Sequence, residues 1–142
     1  MPAADELTDA VTSVSSDLAT GPDAAGRARR VARGFLGKAP IGEAAEMSDA
    51  VELVVSELVT NAVRHAHGRM CRMELTDLGD GVEIAVSDGD PTPPRWRSPD
   101  LSGGGGGFGW PLVHRLASSV RVSTRLTGKT VHAVVVPGLV PA

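Results

Sequence analysis

One cysteine, Cys71, occurs among 142 residues, and no CxxC pair or Cys/His cluster at zinc spacing accompanies it. No intramolecular disulfide can form, so the chain is expected to fold without covalent or metal staples in a reducing compartment. Aromatic residues are only 3% and the net charge is −3. That leaves few stacking platforms and little pull on a polyanion, which argues against direct nucleic-acid binding. The longest apolar runs, near 51–63 and 131–136, are too short or too interrupted to span a bilayer, and the acidic N-terminus lacks a secretory pattern. The expectation is a cytoplasmic protein with no membrane partner.

Glycine and proline, by contrast, are plentiful and unevenly placed: from Asp88 to Gly109 they dominate a loop of roughly twenty residues. A compact domain seldom carries such a loop without functional cause. The chain length suits one domain able to bury about two-thirds of its unfolded surface. Residues 1–10 are polar, aperiodic and expected to fray, and 11–138 should form the domain.

Within it, 11–18 has β character, and Gly21-Pro22-Asp23 breaks it before a helix to about Leu36 with Asp23 as N-cap. Ala28, Val31, Ala32, Phe35 and Leu36 give that helix an apolar stripe; Arg27, Arg29, Arg30 and Arg33 read as its solvated face. A second helix begins between Glu43 and Ser48 and runs to about Ala66, because Met47, Val51, Val54, Val55, Leu58, Val59, Ala62 and Val63 recur at three- and four-residue steps. Strands at 70–76 and 82–86 flank an Asp77-Leu-Gly-Asp-Gly81 turn. After the loop come a helix at 110–118 and strands at 120–126 and 130–136. Strand, helix, helix, hairpin, loop, helix, hairpin predicts an α/β two-layer sandwich, a mixed, mainly antiparallel sheet with helices on one face.

On the second helix Glu57, Asn61 and His65 fall at i, i+4 and i+8 and form one polar stripe. A partly desolvated glutamate there suits a general base, the asparagine offers a neutral oxygen to magnesium, and the histidine can reach phosphate. Asp88 follows the second strand of the first hairpin, at the mouth of the sheet, where a carboxylate can accept from an exocyclic amine; a turn aspartate is the plainer reading. Five consecutive glycines, Gly103 to Gly107, then Phe108-Gly109, precede a helix start, a place where backbone N–H groups hold phosphates. The loop before them is not a hydrophobic strand, so a dinucleotide-fold fingerprint is excluded; Gly128-Lys129-Thr130 is not a P-loop, since Ser123 stands where its first glycine belongs. Thr130 would face a base lying over its hairpin, or serve simply as a β-branched strand residue. His114, His132 and Trp96 read as packing or surface positions.

The ordered set Glu57-Leu-Val-Thr-Asn61-Ala-Val-Arg-His65-Ala, Val86-Ser-Asp88-Gly-Asp90-Pro, Gly107-Phe-Gly109-Trp-Pro-Leu-Val113 and Gly128-Lys-Thr130-Val resembles the ATP-binding domain of the GHKL, or histidine kinase-like, ATPase superfamily. Within it the set is most similar to small stand-alone anti-sigma factor serine kinases and their actinobacterial relatives. The resemblance implies a Bergerat-type ATP-binding fold with ATP between the helix layer and a lid. It makes Glu57 the general base, Asn61 the magnesium ligand, His65 a polar position near the phosphates and Asp88 the reader of the adenine amine. Gly105, Gly107 and Gly109 match lid glycines, Phe108 counts with them, and Thr130 matches a threonine beside the adenine pocket. It further implies the cofactors ATP and Mg2+, a sigma factor and a small anti-anti-sigma antagonist as partners, and a homodimer joined through the first strand and helix. Two departures stand out: Asp90 replaces the usual glycine two residues after Asp88, and 101–109 contains no Arg or Lys. The alternative is a non-catalytic, nucleotide-dependent protein-binding module. A histidine kinase's catalytic half is disfavoured, since the chain leaves no room for a phospho-acceptor helix pair.

Overall fold

A computed structural model of the chain describes residues 12–44, 46–65, 70–92 and 109–138. Strand β1 (Ser13–Ala19) leads into helices α1 (Ala24–Lys38) and α2 (Met47–His65), with a 3-10 turn at Pro40–Glu43 between them. Then follow the hairpin β2 (Met70–Asp77) and β3 (Val82–Asp88), helix α3 (Gly109–Leu116), and the hairpin β4 (Ser119–Arg125) and β5 (Gly128–Val135). The five strands lie in the order β1-β2-β3-β5-β4. Every pairing among the described residues is antiparallel, so the expected mixed sheet holds no adjacent parallel pair. The reason is the split β3-α3-β4 crossover: β4 skips one place, and β5 returns into the gap antiparallel to both neighbours.

Alternation along the strands decides which residues meet the helices. Cys71, Met73 and Leu75 of β2, Val82, Ile84 and Val86 of β3, and Val131, Ala133 and Val135 of β5 are all buried. Against them α2 presents Met47, Ala50, Val51, Val54, Val55, Leu58, Val59 and Ala62, as its three- and four-residue steps require. The expected Val63 is only partly buried and packs at the margin of this core. Burying one such leucine or valine stabilises by about 1.5–3 kcal/mol, so α2 is the helix most firmly tied to the sheet.

Helix α1 buries Ala24, Ala28, Ala32, Phe35 and Leu36. Asp23 does occupy its N-cap position, but its side chain makes no capping bond there; its carbonyl accepts from Arg27 N–H instead. The helix passes through Gly37 and ends two residues later than the sequence suggests, with Ala39 N–H donating to the Phe35 carbonyl and Pro40 opening the next turn. Two of the four arginines lean onto α2: Arg29 donates to Ser56 Oγ at 3.1 Å and Arg33 to Glu52 Oε1 at 3.0 Å. Among the described residues no helix is long and apolar enough to cross a membrane.

The other sheet face is polar. Arg72 donates to Asp17 at 3.0 Å and to Ser15 at 2.8 Å, and Arg121 lies 3.8 Å from Glu83. In the middle sits His132, whose Nδ1 is buried without a hydrogen-bond partner among the described residues. Burial first, then Arg121, lowers its pKa below the ordinary 6.5, against weaker upward pulls from Glu83 and Glu74. The unfolded chain therefore takes up the proton before the folded one does. Stability is fully present above about pH 6.5 and declines as the pH falls below it. In urea titrations across that range, His132→Gln is expected to flatten the acid-side loss; an unchanged slope would contradict this placement of His132.

Candidate nucleotide site

Glu57 and Asn61 sit one turn apart on α2, both half-buried, at the border between the helix's apolar face and its outer surface. No cation pairs with Glu57 among the described residues. His65 is the last residue of α2; its side chain lies outside what the structure describes. Helix α2 packs across β3 and β5 and against α3, and Asp88 and Thr130 lie at the end of β3 and the start of β5.

Asp88 is the last residue of β3 and faces the helix layer, as Val86 and Ile84 do before it. It is buried, and the residue opposite it on β5 is Lys129. The lysine ammonium lies 3.0 Å from Oδ1 and 3.0 Å from Oδ2, with side-chain exposures of 0% for the lysine and 2% for the aspartate. The same ammonium donates to the Asp90 carbonyl at 3.1 Å, and Asp90 N–H donates to Asp88 Oδ1 at 2.8 Å. Both readings of Asp88 thus have substance: it closes an Asx turn, and it is a buried carboxylate at the end of a central strand. Its charge also pushes up the pKa of the Cys71 thiol, after burial as the first cause.

Gly128 makes this approach possible. A Cβ there would collide with the Asp88 carbonyl, so only glycine lets β5 start flush against the end of β3.

The structure does not bring Thr130 to the Asp88 carboxylate. Successive side chains on a strand point to opposite faces, so Thr130 lies on the open face, paired with Ser87. Its Oγ1 is 2.7 Å from Ser87 Oγ and accepts from Arg125 Nη1 at 3.0 Å. Lys129, passed over in the sequence as the middle of a false P-loop, is the residue that meets Asp88. Its parity with Val131, Ala133 and Val135 was the available signal, because that parity marks the core-facing side of β5.

Of the lid positions, Gly105, Gly107 and Phe108 lie outside the described residues, as does Trp96. Gly109 is the first residue of α3, so the glycine tract does run directly into a helix N-terminus. Trp110 and His114 pack edge to face on α3, with ring centroids 5.3 Å apart.

A family model described as a histidine kinase-like ATPase domain matches residues 18–135, and the chain belongs to that family. It is accordingly an ATP-binding domain with the α/β fold of that class. Among solved structures it is similar to the histidine kinase AdeS of Acinetobacter baumannii, with 16% identity and a TM-score of 0.47 over 64% of this chain and 47% of that one. It is likewise similar to the histidine kinase domain of the blue-light activated histidine kinase of Erythrobacter litoralis EL346, with 22% identity and a TM-score of 0.47 over 79% and 62%. The match thus spans about half of the first chain's length and three-fifths of the second's. No curated protein sequence matches the chain.

The donors present fit the cofactors that this family implies. Asn61 offers a half-exposed neutral oxygen, which suits a magnesium ion held chiefly by phosphates and water. The Asp88 carboxylate keeps acceptor capacity on Oδ2, which suits an amine.

Leaving the Asp88 charge buried and alone is costly. Lys129→Met is expected to destabilise the fold by about 3–5 kcal/mol, while Lys129→Met combined with Asp88→Asn recovers most of that loss. Chemical denaturation of both variants checks this; equal stabilities would mean that the buried pair does not behave as one unit.

Proposed function

We propose that the chain is an anti-sigma factor serine/threonine protein kinase, which phosphorylates a small anti-anti-sigma antagonist and in another state sequesters a sigma factor. The observation that carries the reading is Glu57: a half-buried carboxylate without a cationic partner among the described residues, one helical turn from Asn61 on the helix packed across β3, the strand that ends in Asp88. Family membership supports the nucleotide, and the four ordered motifs support the kinase.

Bound Mg-ATP supplies the γ-phosphoryl group and the cation that offsets its charge. Asp88 accepts from the adenine amine, and Asn61 offers its side-chain oxygen to the metal. The N–H groups opening α3 stand at the positive end of that helix, where phosphate oxygens are favoured. Glu57 takes the proton from the antagonist's serine hydroxyl as its oxygen bonds to the γ-phosphorus. The bond from that phosphorus to the β–γ bridging oxygen breaks, and its electron pair leaves with ADP. In this reading the protein is a cytoplasmic homodimer joined through β1, an edge strand of the sheet, and α1.

Incubation of the protein with Mg-ATP and an antagonist of the small sheet-helix type should yield phosphoserine, and Glu57→Ala should slow it by about 100-fold or more. Absence of phosphoserine, with wild type and Glu57→Ala indistinguishable, would sink the kinase claim.

A second reading, a nucleotide-dependent binding module without turnover, is favoured by one observation: residues 101–109 carry no basic side chain to offset transition-state charge. Calorimetric titration separates the two. ATP binding that weakens in Asp88→Asn, with no ADP produced by wild type, selects the module; steady ADP and phosphoserine production selects the kinase.

A further inference from the structure

Asp88 and Lys129 are paired inside the protein. The lysine ammonium donates to Asp88 Oδ1 and to the Asp90 carbonyl, and it stands 3.0 Å from Oδ2 as well. The carboxylate has about four acceptor positions. Oδ1 takes Lys129 and Asp90 N–H, and Oδ2 faces the same ammonium. Acceptor capacity remains on Oδ2, and Lys129, with no exposed surface, offers no donor beside it.

We propose that Lys129 is the positioning residue that sets base selectivity: by pairing with the Asp88 carboxylate and taking up part of its acceptor capacity, it leaves a site for a donor. An amino group on a purine satisfies that site. A carbonyl at the same place meets a lone pair with a lone pair and leaves the open Oδ2 position unfilled, which a buried site penalises. Lys129 cannot turn to serve the carbonyl, because its side chain has no exposed surface and its ammonium is tied to Asp88 and to the Asp90 carbonyl. The inference rests on the reading of Asp88 as the base contact and adds the residue that gives it its sign.

A buried carboxylate deprived of its ammonium tends to take up a proton. A protonated Asp88 both donates and accepts, so it would no longer tell an amine from a carbonyl. Asparagine in its place does the same through its amide.

The test compares ATP with inosine triphosphate, which carries a carbonyl and an adjacent N–H where adenine has its amine and bare ring nitrogen. Both share the triphosphate, so contributions from magnesium and lid cancel in the ratio. By calorimetry, wild type should bind ATP about 10- to 100-fold more tightly than inosine triphosphate. Lys129→Met should bring the ratio to within about threefold, and Lys129→Arg should keep most of the preference, since it keeps the charge. Should Lys129→Met not fold, Lys129→Gln, which can still donate a hydrogen bond to the carboxylate but carries no charge, should show the same collapsed ratio.

A ratio preserved in these neutral variants overturns the role of Lys129, and so does tighter ATP binding by Lys129→Met, which would make the lysine a competitor of the base. Wild type that binds both nucleotides equally also overturns it, while leaving the nucleotide site standing. Wild type that binds neither removes the site reading itself.

Discussion

A lysine with no exposed surface constrains everything around it. Lys129 tolerates burial only because Asp88 stands directly across the ladder and the Asp90 carbonyl takes a second of its donors. A slip of one residue between β3 and β5 would turn Lys129 and Thr130 to each other's faces and leave Asp88 a buried charge without a partner. The pair therefore pins the register of the two central strands at the end where the site lies. Gly128 is the steric condition for it, since any side chain there would strike the Asp88 carbonyl.

From that pinned edge the rest of the site follows by packing. Helix α2 buries one face on β3 and β5, and the angle between that face and the Glu57-Asn61 stripe is set by the 3.6-residue turn. Rotating α2 to expose the stripe more fully would lift Val54, Val55 and Leu58 off the sheet, at about 1.5–3 kcal/mol each. The half-buried state of the stripe is thus a consequence of core packing. It leaves Glu57 half-buried and, among the described residues, without an ion pair.

Much of this architecture was legible in local patterns. The period of α2, the Asp77 to Gly81 turn and the helix start after the glycine tract each come from short-range chemistry that acts the same way in most contexts. What escaped was relational. The Asp23 cap fails because no side-chain bond to the helix forms, and the sheet has no adjacent parallel pair because of where β4 lands. Thr130 was assigned to the base by motif order, but strand alternation turns its hydroxyl to Ser87 and Arg125 on the opposite face. Lys129 was passed over because a lysine beside a turn reads as solvent-exposed until the apolar parity of Val131, Ala133 and Val135 is extended back through it.

The amino-acid sequence by itself determined the elements, the apolar faces and the residue types able to handle a nucleotide, because those depend on neighbours within a turn or a hairpin. Only the tertiary structure decided that Asp88 is shared with Lys129 before any ligand arrives. The two residues are forty-one apart, and nothing local links them; what joins them is the antiparallel register of two strands brought together by a crossover and closed by one glycine.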